Sequence, residues 1–264
     1  MDNLITLVAA LLYFIAIAMI VPGIVNQTGI KKKAVFISAV CALLFHAWLL
    51  SDLIFHHNGQ NLSILNVASV VSFMITALMT IAMFKTRLWF LLPIVYSFSA
   101  IVLVVANFVP DTFMTHLEDD PMLMVHISFA LFSYSTLCIG TLYSIQIAWL
   151  NHKLKHKKSL AINPNFPPLL RIERHCFNIL IVGNLLLTGT IITGVGFLSD
   201  MVAQGKAHKG VLSVLAWIVY SLLIWGHYQK GWRGKKVTWL SVSGAFLLTL
   251  AYFGSRFVKE VILN

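Results

Sequence analysis

Apolar residues fill almost all of this 264-residue chain in eight long stretches separated by short polar gaps. The stretches run from Leu4 to Val25, Ala34 to Phe55, Ser63 to Phe84, Leu88 to Val109, Met122 to Leu150, Asn178 to Val202, Val211 to Tyr228 and Val237 to Val258. Most have the roughly 18 to 25 residues that carry a helix, at about 1.5 Å per residue, across a hydrocarbon core of about 30 Å. The pattern predicts an all-α, polytopic membrane protein: a bundle of about eight transmembrane helices forming one integral membrane domain over residues 1–264. Only the gap from Leu150 to Asn178 is long. It holds a basic run from Asn151 to Ser159, a turn with Pro164, Pro167 and Pro168, and then Arg-Ile-Glu-Arg leading into the sixth stretch. Such a segment reads first as a solvated loop beside anionic headgroups and second as a docking site for a cytoplasmic partner. No separate soluble domain, repeat or low-complexity segment interrupts the series.

Charge gives the predicted bundle a direction. The gaps after the first, third, fifth and seventh stretches hold Lys31, Lys32 and Lys33; Lys85 and Arg87; Lys153, Lys155, Lys157, Lys158, Arg171 and Arg174; and Lys230, Arg233, Lys235 and Lys236, which is fifteen of the 19 Lys and Arg. By the positive-inside rule these gaps face the cytoplasm, so both termini are expected to be periplasmic. The acidic gap containing Asp111, Glu118, Asp119 and Asp120 falls on the opposite side. The first stretch lacks a basic n-region and is long for a signal peptide, so it is expected to be retained. A composition of 59% hydrophobic and 11% charged residues, with a mean hydropathy of +0.85, agrees with a multi-pass membrane protein in contact with lipid. The net charge of +10 is distributed over short loops rather than along one face, which argues for topology and against a nucleic-acid partner.

Several chemistries lack their residues. Cys41, Cys138 and Cys176 stand alone, without a CxxC pair, which disfavours a disulfide relay or a cysteine metal site. Gly194-Val195-Gly196 is half of a dinucleotide fingerprint and lies within an apolar stretch rather than after a strand. No Asp or Glu falls deep in a stretch; Asp52 and Asp200 are near ends. Ion-coupled transport usually requires carboxylates at the midplane, so a small-molecule transporter ranks third among the readings.

Histidine is the chemistry that remains inside the membrane. His46 falls near the middle of the second stretch and His126 about one turn below the outer end of the fifth. An imidazole in hydrocarbon must face protein or a ligand. Ala39 and Ala42 share a helical face with His46, as Ala130, Ser133, Gly140 and Ser144 do with His126. Two readings follow. Small side chains beside a histidine leave space for a flat cofactor such as haem, with imidazole as axial ligand. Alternatively, small faces let helices approach, and the histidines serve as interhelical hydrogen-bonding groups. The two histidines share the outer half of the bilayer on the predicted topology and can meet there. His56, His57, His116 and His208 belong to external gaps, and His152, His156 and His175 to the cytoplasmic loop. His116 is a candidate second ligand or lid, while His227, at the cytoplasmic end of the seventh stretch, would serve only a second, inner site.

His126-Ile-Ser-Phe-Ala-Leu-Phe-Ser-Tyr134, Gly59-Gln-Asn-Leu-Ser-Ile-Leu-Asn66 after a helix with a mid-membrane histidine, and Trp225-Gly-His-Tyr-Gln-Lys-Gly-Trp-Arg-Gly234 together resemble the CcsA/CcmC/CcmF family of haem-handling cytochrome c assembly proteins. Eight helices without an attached domain resemble its short bacterial inner-membrane branch. The resemblance implies a bundle whose histidines hold haem b and whose outer face presents it to an apocytochrome. His46 then corresponds to the membrane histidine of the second helix and His126 to the histidine opening a later helix at the outer face. The chain departs from the family at its tryptophan-rich external loop: the corresponding segment, Phe197 to Lys209, has no tryptophan, and Trp225 stands near where a second external histidine is expected. The resulting expectation is a protein that binds or relays haem without attaching it covalently. His46 and His126 would ligate or guide the iron, and Arg256, one turn from Tyr252, would pair with a propionate. The rival expectation is a non-catalytic scaffold or regulator of a neighbouring transporter or assembly complex, working through a membrane-protein partner.

Overall fold

A computed structural model describes residues 2–26, 29–56, 59–84, 89–109, 113–116, 120–155, 169–196 and 207–254. Its helices are α1 (Asp2–Val25), α2 (Lys32–Ile54), α3 (Ile64–Ala82), α4 (Leu91–Phe108), α5 (Pro121–Lys155), α6 (Leu169–Val195), α7 (Ala207–Lys230) and α8 (Lys235–Thr249), the last continued by a π-helical turn, Leu250–Gly254. Eight helices are long and apolar enough to span a membrane, as the hydropathy pattern predicts. The clearest difference lies at α6, which starts at Leu169 rather than Asn178. Arg-Ile-Glu-Arg is therefore helical, and His175 lies in a helix rather than a loop. Hydropathy underestimates this helix because Arg and Glu are good helix formers that extend it beyond the apolar run. Glu173, on that extension, is paired with Arg233 at 3.1 Å.

A small antiparallel sheet departs from the all-helical expectation. It joins β1 (Phe55–His56), β2 (Gly59–Asn61) and β3 (Met114–Thr115) in the order β1-β2-β3. Phe55 pairs with Gln60, and Gln60 with Thr115. Strands of two or three residues are too short to leave a period-2 signature in the sequence.

The described chain forms two compact units, residues 1–117 with 153–168 and residues 118–152 with 169–264. In the first, α1 packs against α2 and α4, and α3 against α2 and α4. The inward face of α1 carries Thr6, Ala9, Tyr13, Ala16 and Ile20, spaced alternately three and four residues apart, whereas Leu4, Leu7, Leu11 and Phe14 are exposed. The inward surface is thus smaller and more polar than the outward one, as expected where lipid replaces water outside and close packing holds helices together. Along α3 the buried polar residues Ser69, Ser72, Thr76 and Thr80 continue this pattern. Ser99 of α4 donates to the Ser72 carbonyl at 3.0 Å and bonds Thr76, while Thr80 and Tyr96 meet at 3.1 Å.

In the second unit, α5 and α6 run antiparallel along a seam of glycines. His126 lies against Gly194, Phe129 against Gly189, Leu137 against Gly183, and Leu180 of α6 against Gly140 of α5. Ser133 Oγ donates to the Gly183 carbonyl at 3.1 Å, and Cys176 Sγ to that of Gly140 at 3.4 Å. The small residues on the His126 face of α5 therefore receive a neighbouring helix over much of their length. α7 packs against α6 and α8. Thr238 of α8 donates to the Ser144 carbonyl of α5 at 3.0 Å, and Tyr134 meets Thr249 at 2.8 Å.

The seam is testable by adding one methyl group. A Cβ at Gly183 would stand 2.7 Å from two carbons of Leu137, so Gly183→Ala should destabilise the protein by about 1–3 kcal/mol. Gly210→Ala, where nothing lies within 4 Å of the added carbon, should cause no loss. Thermal unfolding in mild detergent distinguishes the pair.

Candidate functional site

His46 lies on the inward face of α2 and is fully buried in the first unit. Tyr13 Oη of α1 is 3.1 Å from Nδ1, and Ser69 Oγ of α3 is 3.0 Å from Nε2. A neutral imidazole has one donor and one acceptor nitrogen, and either tautomer satisfies these two hydroxyls. Tyr13 also meets the ring edge-on at 6.1 Å, and Phe73 does so at 5.4 Å. Tyr13 stacks on Tyr96 at 5.8 Å, extending the polar and aromatic packing to α4. Three helices thus converge on one imidazole. Both nitrogens are engaged, so iron ligation by His46 would require one of these two hydrogen bonds to be given up.

About 12 Å of helix separates His46 from Ile54, the last residue of α2, where the small sheet begins. The segment Gly59 to Asn66 forms a hydrogen-bonded knot there. Asn61 Oδ1 accepts from the Ser63 and Phe113 backbone N–H groups at 3.2 and 2.9 Å. Asn66 Nδ2 donates to the carbonyls of Leu53 and Asn61 at 3.0 and 3.1 Å, and Ser63 caps α3. Asn61, Ser63 and Asn66 are all buried. The motif thus orders the backbone where α2, α3 and β3 meet. His116 is exposed and follows β3. A side chain at Gly59, whose φ is +116°, would come within 3.3 Å of the His116 ring and 2.6 Å of the Thr115 carbonyl. Glycine is required there by both conformation and space.

His126 belongs to the second unit and sits near the start of α5. It is partly buried, its Nδ1 lies 3.0 Å from Thr193 Oγ1, and its Cε1 packs over Gly194 of α6. His46 and His116 belong to the other unit.

His227 is at the opposite end of the second unit. Its ring stacks on Phe177 of α6 at 3.4 Å with an interplanar angle of 10°, and Nδ1 lies 3.0 Å from the Trp232 carbonyl. Phe177 and Thr193 are separated by about 24 Å along α6. His227 and His126 therefore do not share a site. The surrounding motif forms a tight reversal between α7 and α8. Trp232 N–H donates to the Gly226 carbonyl, the Trp232 ring packs against Gly226, and Gly231 and Gly234 take φ values of +63° and +64°. Lys236 stands 3.4 Å above the Trp232 ring, and Arg233 is held by Glu173. These contacts give each glycine and the Trp-Arg pair a structural role.

Arg256 and most of the tryptophan-free segment from Phe197 to Lys209 lie outside the described residues. The three cysteines are free thiols, and among the described residues no three His, Cys, Asp or Glu side chains gather as a metal site. Tyr13, Ser69 and Thr193 were not anticipated as histidine partners. Their positions on buried helical faces were readable, but which histidine they reach depends on helix packing.

Comparison with known proteins places these residues in context. The cytochrome C assembly protein family matches residues 34–263. Inner membrane protein YpjD of Escherichia coli strain K12 is 48% identical over 258 residues, covering 97% of this chain and 98% of that protein. An uncharacterized 28.8 kDa protein of Azospirillum brasilense is 30% identical over 142 residues, 53% of this chain and 52% of its own length. Cytochrome c biogenesis protein CcsA of a Synechococcus strain is 24% identical over 155 residues, half of each chain. No solved structure matches.

The His46 arrangement predicts that removing one partner leaves a buried nitrogen unsatisfied. Tyr13→Phe and Ser69→Ala should each cost about 1–3 kcal/mol, measured as loss of thermal stability in detergent. Stability equal to the wild type in both variants would show that His46 does not depend on these hydroxyls.

Proposed function

Because the chain belongs to the cytochrome c assembly protein family, we propose that it binds or relays haem b and leaves covalent attachment to other proteins. It is a multi-pass inner-membrane protein. In this proposal the basic gaps face the cytoplasm and both termini face the periplasm, so the end of α5 that carries His126 faces outward.

The observation that carries the reading is the position of His126: an imidazole one turn from the outer end of a membrane helix, partly buried, with Nδ1 tied to a neighbouring helix. A ligating histidine commonly has one ring nitrogen held by the protein so that the other is aimed at the metal. The donor chemistry at His126 fits haem. Haem supplies an iron that imidazole can ligate and carboxylates that a cation can pair with. His126 holds the iron, and Arg256 pairs with a propionate. His46, in the other unit, is a candidate ligand only on exchanging Tyr13 or Ser69, and otherwise it ties α1, α2 and α3 together. His116 is an exposed candidate ligand of the first unit, whereas His227 supports the α7–α8 turn. The missing tryptophans from Phe197 to Lys209 support relay rather than attachment.

A second reading is favoured by the glycine seam. Much of the small-residue face of α5 is occupied by α6 rather than left open, and a scaffold or regulator that binds a membrane-protein partner needs no cofactor space. The two readings differ in colour. On the haem reading, protein purified in mild detergent gives a reduced-minus-oxidised b-type spectrum near one haem per chain by pyridine haemochrome assay. His126→Ala should lower that content tenfold or more. A colourless protein after haem is supplied during expression, carrying a stoichiometric partner, would support the scaffold instead.

Topology has its own test. Alkaline phosphatase fused after Asn264 should be active, and fused after Lys158 inactive. The reverse result would overturn the orientation.

A further inference from the structure

Thr193 faces His126 with a hydroxyl whose own proton is already directed elsewhere. Its Oγ1 lies 2.9 Å from the backbone carbonyl of Gly189 and 3.1 Å from that of Thr190 and directs its one proton toward this pair, the back-bonding that threonine makes within a helix. A hydroxyl has one proton and two lone pairs, so an oxygen that donates to its own helix meets another polar group as an acceptor. The group it meets, 3.0 Å away, is His126 Nδ1.

We propose that Thr193 is a positioning residue that fixes the tautomer of His126, holding the proton on Nδ1 and the lone pair on Nε2, and so sets which nitrogen is offered to haem iron. The inference rests on His126 being the iron ligand. The direction of the hydrogen bonds runs from His126 Nδ1–H to Thr193 Oγ1, and from the Thr193 hydroxyl to the α6 backbone. The adjoining glycine fixes the ring in place. A Cβ at Gly194 would come within 3.1 Å of His126 Cε1 and 3.6 Å of Nδ1, so a larger residue there would require the imidazole to move by a few tenths of an ångström. Partners of this kind, which hold the far nitrogen of a ligating histidine, commonly change metal affinity about 10- to 100-fold when removed.

Two measurements on the full-length protein test this separately. The first uses histidine-labelled apoprotein in detergent, with the His126 signals assigned by their loss in His126→Ala. Long-range ¹⁵N–¹H correlation should show Nδ1 protonated in the wild type and in Thr193→Ser, and a mixed or Nε2-protonated ring in Thr193→Val. An Nε2-protonated ring in the wild type would overturn the proposal. The second is haem titration followed at the Soret band. Thr193→Val should weaken binding tenfold or more, while Thr193→Ser stays within about twofold of the wild type, on the scale of such partner effects. Equal affinity in the wild type and Thr193→Val, with His126→Ala defective, would leave His126 as the ligand and remove Thr193 from its control. No haem bound by the wild type would overturn the ligand reading and this proposal with it.

Discussion

An imidazole inside a lipid bilayer has two polar nitrogens and no water to satisfy them. This constraint organises both units of the protein. Around His46 it draws a tyrosine from α1 and a serine from α3 onto a ring carried by α2, so one side chain cross-links three helices. Around His126 it brings a threonine of α6 against the start of α5, and a glycine beside that threonine lets the ring approach. The same residue type is used in two ways. The first histidine is fully buried with both nitrogens bonded to side chains, and the second is partly buried near a helix end.

Apart from these histidines, the two units satisfy the same constraint by different means. The first packs hydroxyls inward, so that Ser69, Ser72, Thr76, Thr80 and Ser99 bond one another, backbone carbonyls or Tyr96. Their side chains return each proton to a nearby acceptor, which permits polar residues in a membrane interior at modest cost. The second unit relies more on shape, with bulky residues of one helix set against glycines of the other along α5 and α6. At the end of this unit where α6 begins, Trp232, Arg233 and Lys236 close the α7–α8 turn through aromatic and ionic contacts with Gly226 and Glu173.

Most of the fold was legible because its largest determinant, a run of apolar residues as long as a bilayer is thick, is a local property of the sequence. The beginning of α6 was not. Arg171, Glu173 and Arg174 look like loop residues by hydropathy, although they are good helix formers, and Glu173 is further held by Arg233, a residue distant in sequence. The small sheet escaped for a related reason, since its strands are defined by partners such as Asn61 and Phe113 rather than by any pattern within themselves. At the candidate site, the two membrane histidines and their small-residue neighbours were readable from helical periodicity. Their partners were not, because Tyr13, Ser69 and Thr193 are joined to them only through tertiary packing. That packing also decides what the small residues do: Gly140 admits Leu180, and Ser133 bonds the Gly183 backbone.

The proposal that His126 holds haem iron rests on two things, the family assignment and the arrangement of an imidazole near the end of a membrane helix with one nitrogen tied to α6. The most direct test removes that side chain and returns its functional group in solution. His126→Gly protein, loaded with haem and examined by its low-spin electron paramagnetic resonance signal, should lack the wild-type species and regain it when free imidazole is added. A wild-type signal in the variant before imidazole is added would contradict the account, because the iron would then be held without His126.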